Sequence, residues 1–513
     1  MTPGTAGRAG RREWAGLGVL ALPTVLLGLD VTLLYQAVPV LAVDLRPSGT
    51  QTLWIMDAYG LLIAGFLITM GSLADRFGHR RMLIVGTLAF GAMSVVAAFS
   101  VNAGMLIAAR AALGIAGATL MPSTLALVRT MFTDPRQRGV AIGIWATMFA
   151  LGMAAGPVVG GALLEHFWWG SAFLVALPVV GVVVLLAPFL LPEHRTPHEG
   201  RIDLVSVALS LGAMLPLVYT VKHLAADGVQ PLTLALLTGG LLCAVLFTRR
   251  QRKLAEPLLD LGLLRNRALA SALTVLLLGL VTVGGVMYVV TQYLQLVDGL
   301  SPFAAGAWLG PPALMMFVAA IVAPLVARRI APGHVVAGAL GLSAIGHILL
   351  TQVDGPGRTL LAVSGFGLVY LGLGAIAALG TDLVVGAAPQ GKAGSAAALS
   401  ETVQELGVAV GVAFLGTLTT AVYRGQVADH LPADLPNGAE AAVRESLAEA
   451  TAISLPEQLL AQAKLAFTSG LNATAVVACV ITVAVAILAA TTLRHSPAEE
   501  PGHADAPLDA KHG

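Results

Sequence analysis

Apolar residues run along this chain in stretches far longer than a soluble helix or strand requires. A helix that crosses a bilayer needs about 20 mainly apolar residues. Runs of that length recur from end to end, each bounded by Arg, Pro, Gly or acidic residues. The pattern predicts fourteen spans, at 15–41, 52–73, 82–100, 104–128, 139–164, 169–191, 203–222, 230–248, 268–291, 302–327, 334–352, 358–382, 394–423 and 465–493. Twelve is the competing count, but 203–248 holds two apolar runs parted by the turn-like Ala226-Asp227-Gly228. The expected fold class is an all-α polytopic membrane protein with two six-helix halves, 15–191 and 268–493. Two additional transmembrane helices at 203–248 and a basic linker at 249–267 separate them. Tails at 1–14 and 494–513 flank the spans, and the loop 424–464 has an Ala- and Glu-rich composition that predicts short helices outside the membrane. A repeat supports the division into halves: Arg80-Arg81 follows the second span and Arg328-Arg329 the tenth, at matching distances from the start of each half.

Charge gives the spans a direction. Loops on the cytoplasmic side carry the excess of Lys and Arg. With both termini inside, 22 of the 29 basic residues fall in cytoplasmic segments, six fall outside, and Arg110 lies within a span. The composition agrees: 57% of the 513 residues are hydrophobic, 11% are charged, and the net charge is +1. Soluble domains are about 25% charged. So few charges exclude a soluble protein, and near-neutrality excludes the concentrated basic face that nucleic acid needs. Cys243 and Cys479 both sit in apolar runs, which argues against a disulfide framework or a thiolate metal site. The first span has no small-residue cleavage site after it and is expected to be retained.

An ionisable residue inside a span is expensive and therefore a functional candidate. Asp30 lies in the middle of the first span and should face a water-filled cavity. Glu401 and Glu405 are four residues apart in the thirteenth span, which places both carboxylates on one helix face. Two such acids resist ionising together, so the pair can trade a proton for an organic cation. A hydrated position at the cytoplasmic mouth is the other reading of the pair. Arg110, in span four, stays protonated and cannot carry a proton itself. It is expected to pair with an acid or with backbone carbonyls, in either a tuning or a purely structural role. Asp57, towards one end of span two, reads as a second cation contact or an interfacial residue. Among the aromatic residues, Tyr35, Tyr59, Trp145 and Phe149 are candidates for offering cation-π faces to a lipophilic cation. The bland alternative for aromatics near span ends is interfacial anchoring.

Several segments carry a resemblance. Gly71-Ser72-Leu73-Ala74-Asp75-Arg76-Phe77-Gly78-His79-Arg80-Arg81 closely resembles the signature loop of the major facilitator superfamily. Its glycines permit a tight turn, and Asp75, Arg76, Arg80 and Arg81 can form a charge network that locks the cytoplasmic side when a carrier faces outward. Gly152-Met153-Ala154-Ala155-Gly156-Pro157-Val158-Val159-Gly160-Gly161 resembles the motif of that superfamily's proton-driven exporters. Its small residues let a neighbouring helix approach closely and Pro157 bends the span. Leu29-Asp30, the Trp54–Tyr59 segment and Phe167–Phe173 look like the 14-span drug:proton antiporter family, and the similarity covers nearly the whole chain. Ala398–Gly407 is similar to the acidic helix of exporters of quaternary ammonium compounds and other lipophilic cations. The resemblance implies a major facilitator fold in a bacterial cytoplasmic membrane, with Asp30, Asp57, Glu401 and Glu405 serving cation recognition or proton coupling. Two departures stand out. Span four reads Arg110-Ala111-Ala112-Leu113-Gly114 where the family often has Gln before the Gly, and span ten holds no carboxylate.

Other classes fare poorly. The nearest match to a phosphate-cradling loop, Gly386–Ala393, has Ala393 where magnesium needs Ser or Thr. His223, His334 and His347 are scattered singly, against an intramembrane enzyme or a metal site. The two-half repeat argues against a channel. The expectation is a secondary antiporter, driven by the proton gradient without a cofactor or metal. Its partners would be small-molecule drugs, protons and membrane lipid, and it would act as a monomer. Export of a neutral or anionic antibiotic or metabolite on the same fold is the rival reading.

Overall fold

The computed structural model describes residues 9–193, 203–227, 230–254, 257, 262–386, 393–428, 439–453 and 455–493. Arg8, Arg195, Arg201, Gly228, Lys392, Asp429, Asp434 and the tail 494–513 lie outside the described residues, as do most of Gly386–Ala393 and the side chains of Arg136, Lys222 and His223. Every regular element among the described residues is helical. In chain order they are α1 (Arg11–Leu45), α2 (Gly49–Phe77), α3 (His79–Ala98), α4 (Ala103–Met131), α5 (Pro135–His166), α6 (Ser171–Leu174), α7 (Ala176–Leu190), α8 (Leu204–Asp227), α9 (Pro231–Gln251), α10 (Arg267–Gln292), α11 (Pro302–Ala327), α12 (Pro332–Leu350), α13 (Thr359–Gly386), α14 (Ala393–Ala428), α15 (Ala439–Glu445), α16 (Leu447–Ala452) and α17 (Glu457–Thr492). A single π-turn, Tyr293–Val297, continues α10.

Local chemistry sets many of these ends. Ser48 caps α2 by accepting from Gln51 N, Asn102 caps α4 by accepting from Met105 N, and Ser301 caps α11 just before Pro302. Gly78 joins α2 to α3 at φ +100°, a conformation that a Cβ would disfavour. The helices overrun the expected spans: α1 begins four residues earlier, α14 runs on to Ala428, and α17 starts at Glu457. The loop expected at 424–464 is therefore shorter than its polarity suggests, and α15 and α16 are the short helices within it. The sixth span is broken into α6 and α7 at Val175.

Twelve spans among the described residues are long and apolar enough to cross a membrane. The bent helix α2, turning by 54° between Leu67 and Thr69, makes a thirteenth if counted as one span. The apolar part of α8, Leu204–Thr220, is shorter.

The two halves repeat each other in space. In the first, α1 packs along α5, α2 along α4, and α3 on α4 and α7; in the second, α10 packs along α14, α11 along α13, and α12 on α13 and α17. The halves meet through α2 against α14 and α5 against α11. Without a hydrophobic drive between helices in lipid, close backbone approach has to come from small residues. The α1–α5 seam does this with Gly28 against the Phe149 carbonyl, Gly152 against the Val25 carbonyl, Gly156 against Thr32 and Gly160 against Leu33. The α10–α14 seam uses Gly284, Gly285, Gly407 and Gly411 in the same way. Across the halves, Gly161 meets Pro302 and Phe303, while Gly306 meets the Pro157 carbonyl. The exporter-like glycine motif is thus a two-sided packing surface, towards α1 and towards α11.

The seam yields a test. Gly152→Val places a branched side chain against the backbone of α1. The expected loss is at least the roughly 1–3 kcal/mol of ordinary overpacking. Gly143, on the same helix, has nothing within 4 Å of the position a Cβ would take, so Gly143→Ala should melt no lower than wild type. Thermal unfolding of the three proteins in detergent checks this, and equal melting of both variants would refute the packing role.

Candidate functional site

The residues singled out in the sequence converge where the two halves face each other. A small cavity of about 10 Å³ is lined by Leu27 and Val31 of α1, Tyr59 and Ile63 of α2, Gly117 and Met121 of α4, Phe149 of α5 and Glu405 of α14. Five helices from both halves therefore contribute, and the wall is apolar apart from Tyr59 and Glu405.

Behind that wall lies a buried ion pair. Arg110, 2% exposed, donates from Nη1 to Asp30 Oδ2 at 2.8 Å, and Asp30 is 12% exposed. Arg110 also donates from Nε to the Ile55 carbonyl at 3.2 Å, and its guanidinium lies 4.4 Å from the centre of the Tyr59 ring. A buried charge needs such compensation from several sides, because desolvation costs several kcal/mol per ion. The fixed, planar guanidinium suits a carboxylate, a carbonyl and an aromatic face at once. Arg110 thus ties α4 to both α1 and α2. Asp30 meets this arginine, so it is not a bare carboxylate.

Glu401 and Glu405 differ in this respect. They share one face of α14 and are partly exposed, and no cation among the described residues pairs with either. Glu405 reaches across to α2, where its Oε2 lies 3.7 Å from the position a Cβ on Gly60 would take. Glu401 and Asp30 are both within electrostatic reach of it. The second half thus presents the Glu405 carboxyl, without a cationic partner among the described residues, to the cavity, and the first half holds a neutralised pair behind it.

The remaining candidates fall into place around this core. Asp57 is 1% exposed, and it lies within electrostatic reach of Tyr35 and Tyr288. Tyr35 and Tyr288 pack with ring centres 6.4 Å apart, one from each half. Trp145 is buried and spends its indole N–H on Thr124 Oγ1 at 3.0 Å, joining α5 to α4. Phe149, four residues on, reaches the cavity.

In the signature loop, Asp75 meets His79 at 3.1 Å, and Arg80 pairs with Glu193 at 3.3 Å and donates to the carbonyls of Pro188 and Leu191. Arg76 stands 5.6 Å from the Phe77 ring, and Arg81 is exposed. Among the described residues, these ionic contacts stay within the first half. The other end of the molecule is fastened across the halves. Gln295, on the π-turn, donates from Nε2 to Gln36 Oε1 at 2.7 Å and to the Gln36 carbonyl at 3.2 Å. Glu445 accepts from the Gly49 amide at 2.7 Å and pairs with Arg424 at 3.0 Å, joining the start of α2 to α14. Sequence reasoning missed this seal. Gln36 was visible as an amide inside an apolar span, whereas the π-turn that aims Gln295 at it leaves no periodicity signal.

The ion pair can be tested by a double-mutant cycle. Asp30→Asn and Arg110→Gln should each lower unfolding stability by about 3–5 kcal/mol, as breaking a buried pair does. The double variant should lose less than the sum, with a coupling of at least about 1 kcal/mol. Additive losses in melts of purified protein would show that the contact carries no energy.

Comparison with known proteins bears on what kind of molecule this is. The sequence profile of the Major Facilitator Superfamily matches residues 20–412. The chain is 42% identical over 499 residues to the multidrug efflux pump LfrA of Mycolicibacterium smegmatis, covering 96% of this chain and 98% of that one. It is 35% identical to the methyl viologen resistance protein SmvA of Salmonella typhimurium, over 87% of this chain and 90% of that one. It is 34% identical to the tetracenomycin C resistance and export protein of Streptomyces glaucescens, over 86% and 83%. Its fold matches the inward-facing, unoccupied crystal structure of a bacterial homologue of the lysosomal transporter Spinster, with a TM-score of 0.64 at 17% identity, covering 96% of this chain and all of that one. The chain belongs to the major facilitator superfamily, and is a multi-pass transporter of the bacterial cell membrane, not an enzyme.

Proposed function

We propose that this chain is a proton-coupled antiporter that exports lipophilic organic cations by alternating access. The observation that carries the reading is the unequal state of the buried carboxylates. Asp30 is neutralised by Arg110, while Glu405 lines an apolar cavity, and neither it nor Glu401, one turn away, has a cation among the described residues to balance it. A cavity of that kind attracts either protons or a cation with apolar flanks, and competition between the two is what an antiporter needs. The relatives support export: one is named a multidrug efflux pump, and another is named for resistance to methyl viologen, itself an organic dication.

In the proposed topology both termini and the Asp75–Arg81 loop lie in the cytoplasm, and α8 completes a count of fourteen spans. The Gln36–Gln295 and Glu445–Gly49 contacts then lie at the outer face, which supports reading the protein as an inward-facing carrier that acts as a monomer in lipid. From the cytoplasm or inner leaflet a cation enters and is drawn to Glu405 and Glu401. The halves rock, the outer contacts part, and protons from outside displace the cation. Return with protonated carboxylates, followed by proton release inside, resets the cycle. Each charge moved across 100 mV is worth about 2.3 kcal/mol, so two or more protons per monovalent cation drive accumulation. No cofactor or metal takes part.

Ethidium and dequalinium efflux from loaded cells tests the proposal. Wild type should show efflux that an uncoupler abolishes, and Glu405→Gln should reduce it at least about tenfold, the effect of losing one buried charge contact of about 1.4 kcal/mol or more. Efflux that survives the uncoupler would remove the proton coupling. If wild type moves neither dye but confers resistance to puromycin, a compound in the name of another relative, the cation reading gives way to export of other antibiotics.

A further inference from the structure

Tyr59 occupies an unusual position in the site. Its ring face, the feature that would recommend it for binding a cationic drug, is already taken by the Arg110 guanidinium at 4.4 Å. On another side Phe90 packs against it edge-on at 6.5 Å. The side chain is 2% exposed, and its hydroxyl is buried without a hydrogen-bond partner among the described residues. An unsatisfied buried hydroxyl costs about 1–3 kcal/mol, so a position of this kind needs a reason. The direction in which the hydroxyl points supplies one. It lies 3.4 Å from where a Cβ on Gly117 would stand, and Gly117 lines the cavity together with Tyr59 and Glu405. An alanine there would bring its methyl into van der Waals contact with the hydroxyl, whereas glycine leaves that position unfilled.

We propose that Tyr59 is a specificity-determining residue, whose cavity-facing hydroxyl donates a hydrogen bond to an acceptor on the bound drug while its ring holds Arg110 against Asp30. The substrate class this favours is a cation that carries a carbonyl, ether or ester oxygen some distance from its charge: Glu405 takes the charge and Tyr59 the oxygen. Cations with no acceptor are bound through charge and apolar contact alone. The inference rests on the reading of the site as one for organic cations, and deepens it. It also assigns Tyr59 a role different from the cation-π contact suggested by its aromatic character. The ring serves the protein's own arginine and the hydroxyl serves the ligand.

Two probes separate these contributions: rhodamine 6G, which bears an ester, and tetraphenylphosphonium, which has no hydrogen-bond acceptor. Transport by wild type, Tyr59→Phe and Tyr59→Leu is measured in proteoliposomes with an imposed proton gradient. Tyr59→Phe keeps the ring and should raise KM for rhodamine 6G by about three- to tenfold more than for tetraphenylphosphonium, the worth of one hydrogen bond. Tyr59→Leu removes the face over Arg110, and should lower the maximal rate for both probes as well as raising that KM ratio. Equal changes in KM for the two probes in Tyr59→Phe, or no change in either, would overturn the inference while leaving the cation reading intact. If wild type transports neither probe, the cation reading itself fails, and this inference with it.

Discussion

A guanidinium buried at 2% exposure in a membrane protein is the constraint from which much of this structure follows. Arg110 cannot shed its proton, so the fold has to neutralise it where it stands. It does so with one carboxylate from α1, one carbonyl from α2 and one aromatic face from α2. Three helices of the first half are thereby fixed relative to each other around a single side chain. The consequence for the cavity is electrostatic. Asp30 is committed to Arg110, and the carboxyl that lines the cavity, Glu405, comes from α14, in the other half.

The helices meet through interfaces of two sorts. Within each half, the α1–α5 and α10–α14 seams bring backbones together through glycines that leave no room for a Cβ, and such packing is bistable at best and resists gradual deformation. Between the halves the close α5–α11 approach at Gly161 and Gly306 is joined by contacts of a different character. The Gln36–Gln295 amide pair and the Glu445 contacts to Gly49 and Arg424 are a few polar bonds at one end. Those bonds can be exchanged for water at modest net cost. The π-turn suits this arrangement, since an inserted residue locally loosens the helical ladder that presents Gln295.

The architecture and the site were legible in the sequence to different degrees. Spans could be read because a bilayer imposes length and apolarity on every crossing, and the glycine motif could be read because small residues at helical spacing have few other uses in lipid. Asp30, Arg110 and Glu405 announced themselves as charges where charges are expensive. That Arg110 would choose Asp30 could not be read, because the two are 80 positions apart and any buried acid or carbonyl would have served. The orientation of Tyr59 was hidden for a related reason. An aromatic residue beside a cavity suggests a cation-π contact, but only tertiary packing decides whether the cation belongs to the ligand or to the protein. Helix ends were misjudged where helices project beyond their apolar stretch, as in α14 and α17, since periodic polarity outside the bilayer resembles a loop.

The two helices placed by sequence between the halves also turn out to be placed by structure at their junction. Leu211 of α8 fills the space beside Gly65 of α2, and Val218 packs on Leu61 of α2 together with Ala409 and Ala413 of α14. α8 therefore lies over the α2–α14 seam, touching both bodies. α9 is held to it by a clasp in which Arg250 pairs with Asp203 at 2.9 Å and Gln251 donates to Ser206. Asp203 keeps its charge in spite of partial burial, because Arg250 and Ser206 outweigh the desolvation and hold its carboxyl below the ordinary range. α8 rests on both halves through apolar side chains, Leu211 and Val218 among them. Apolar contact between helices in lipid is replaced by apolar contact with lipid at little cost. The apolar contacts of α8 with α2 and α14 can therefore be exchanged for lipid at little cost.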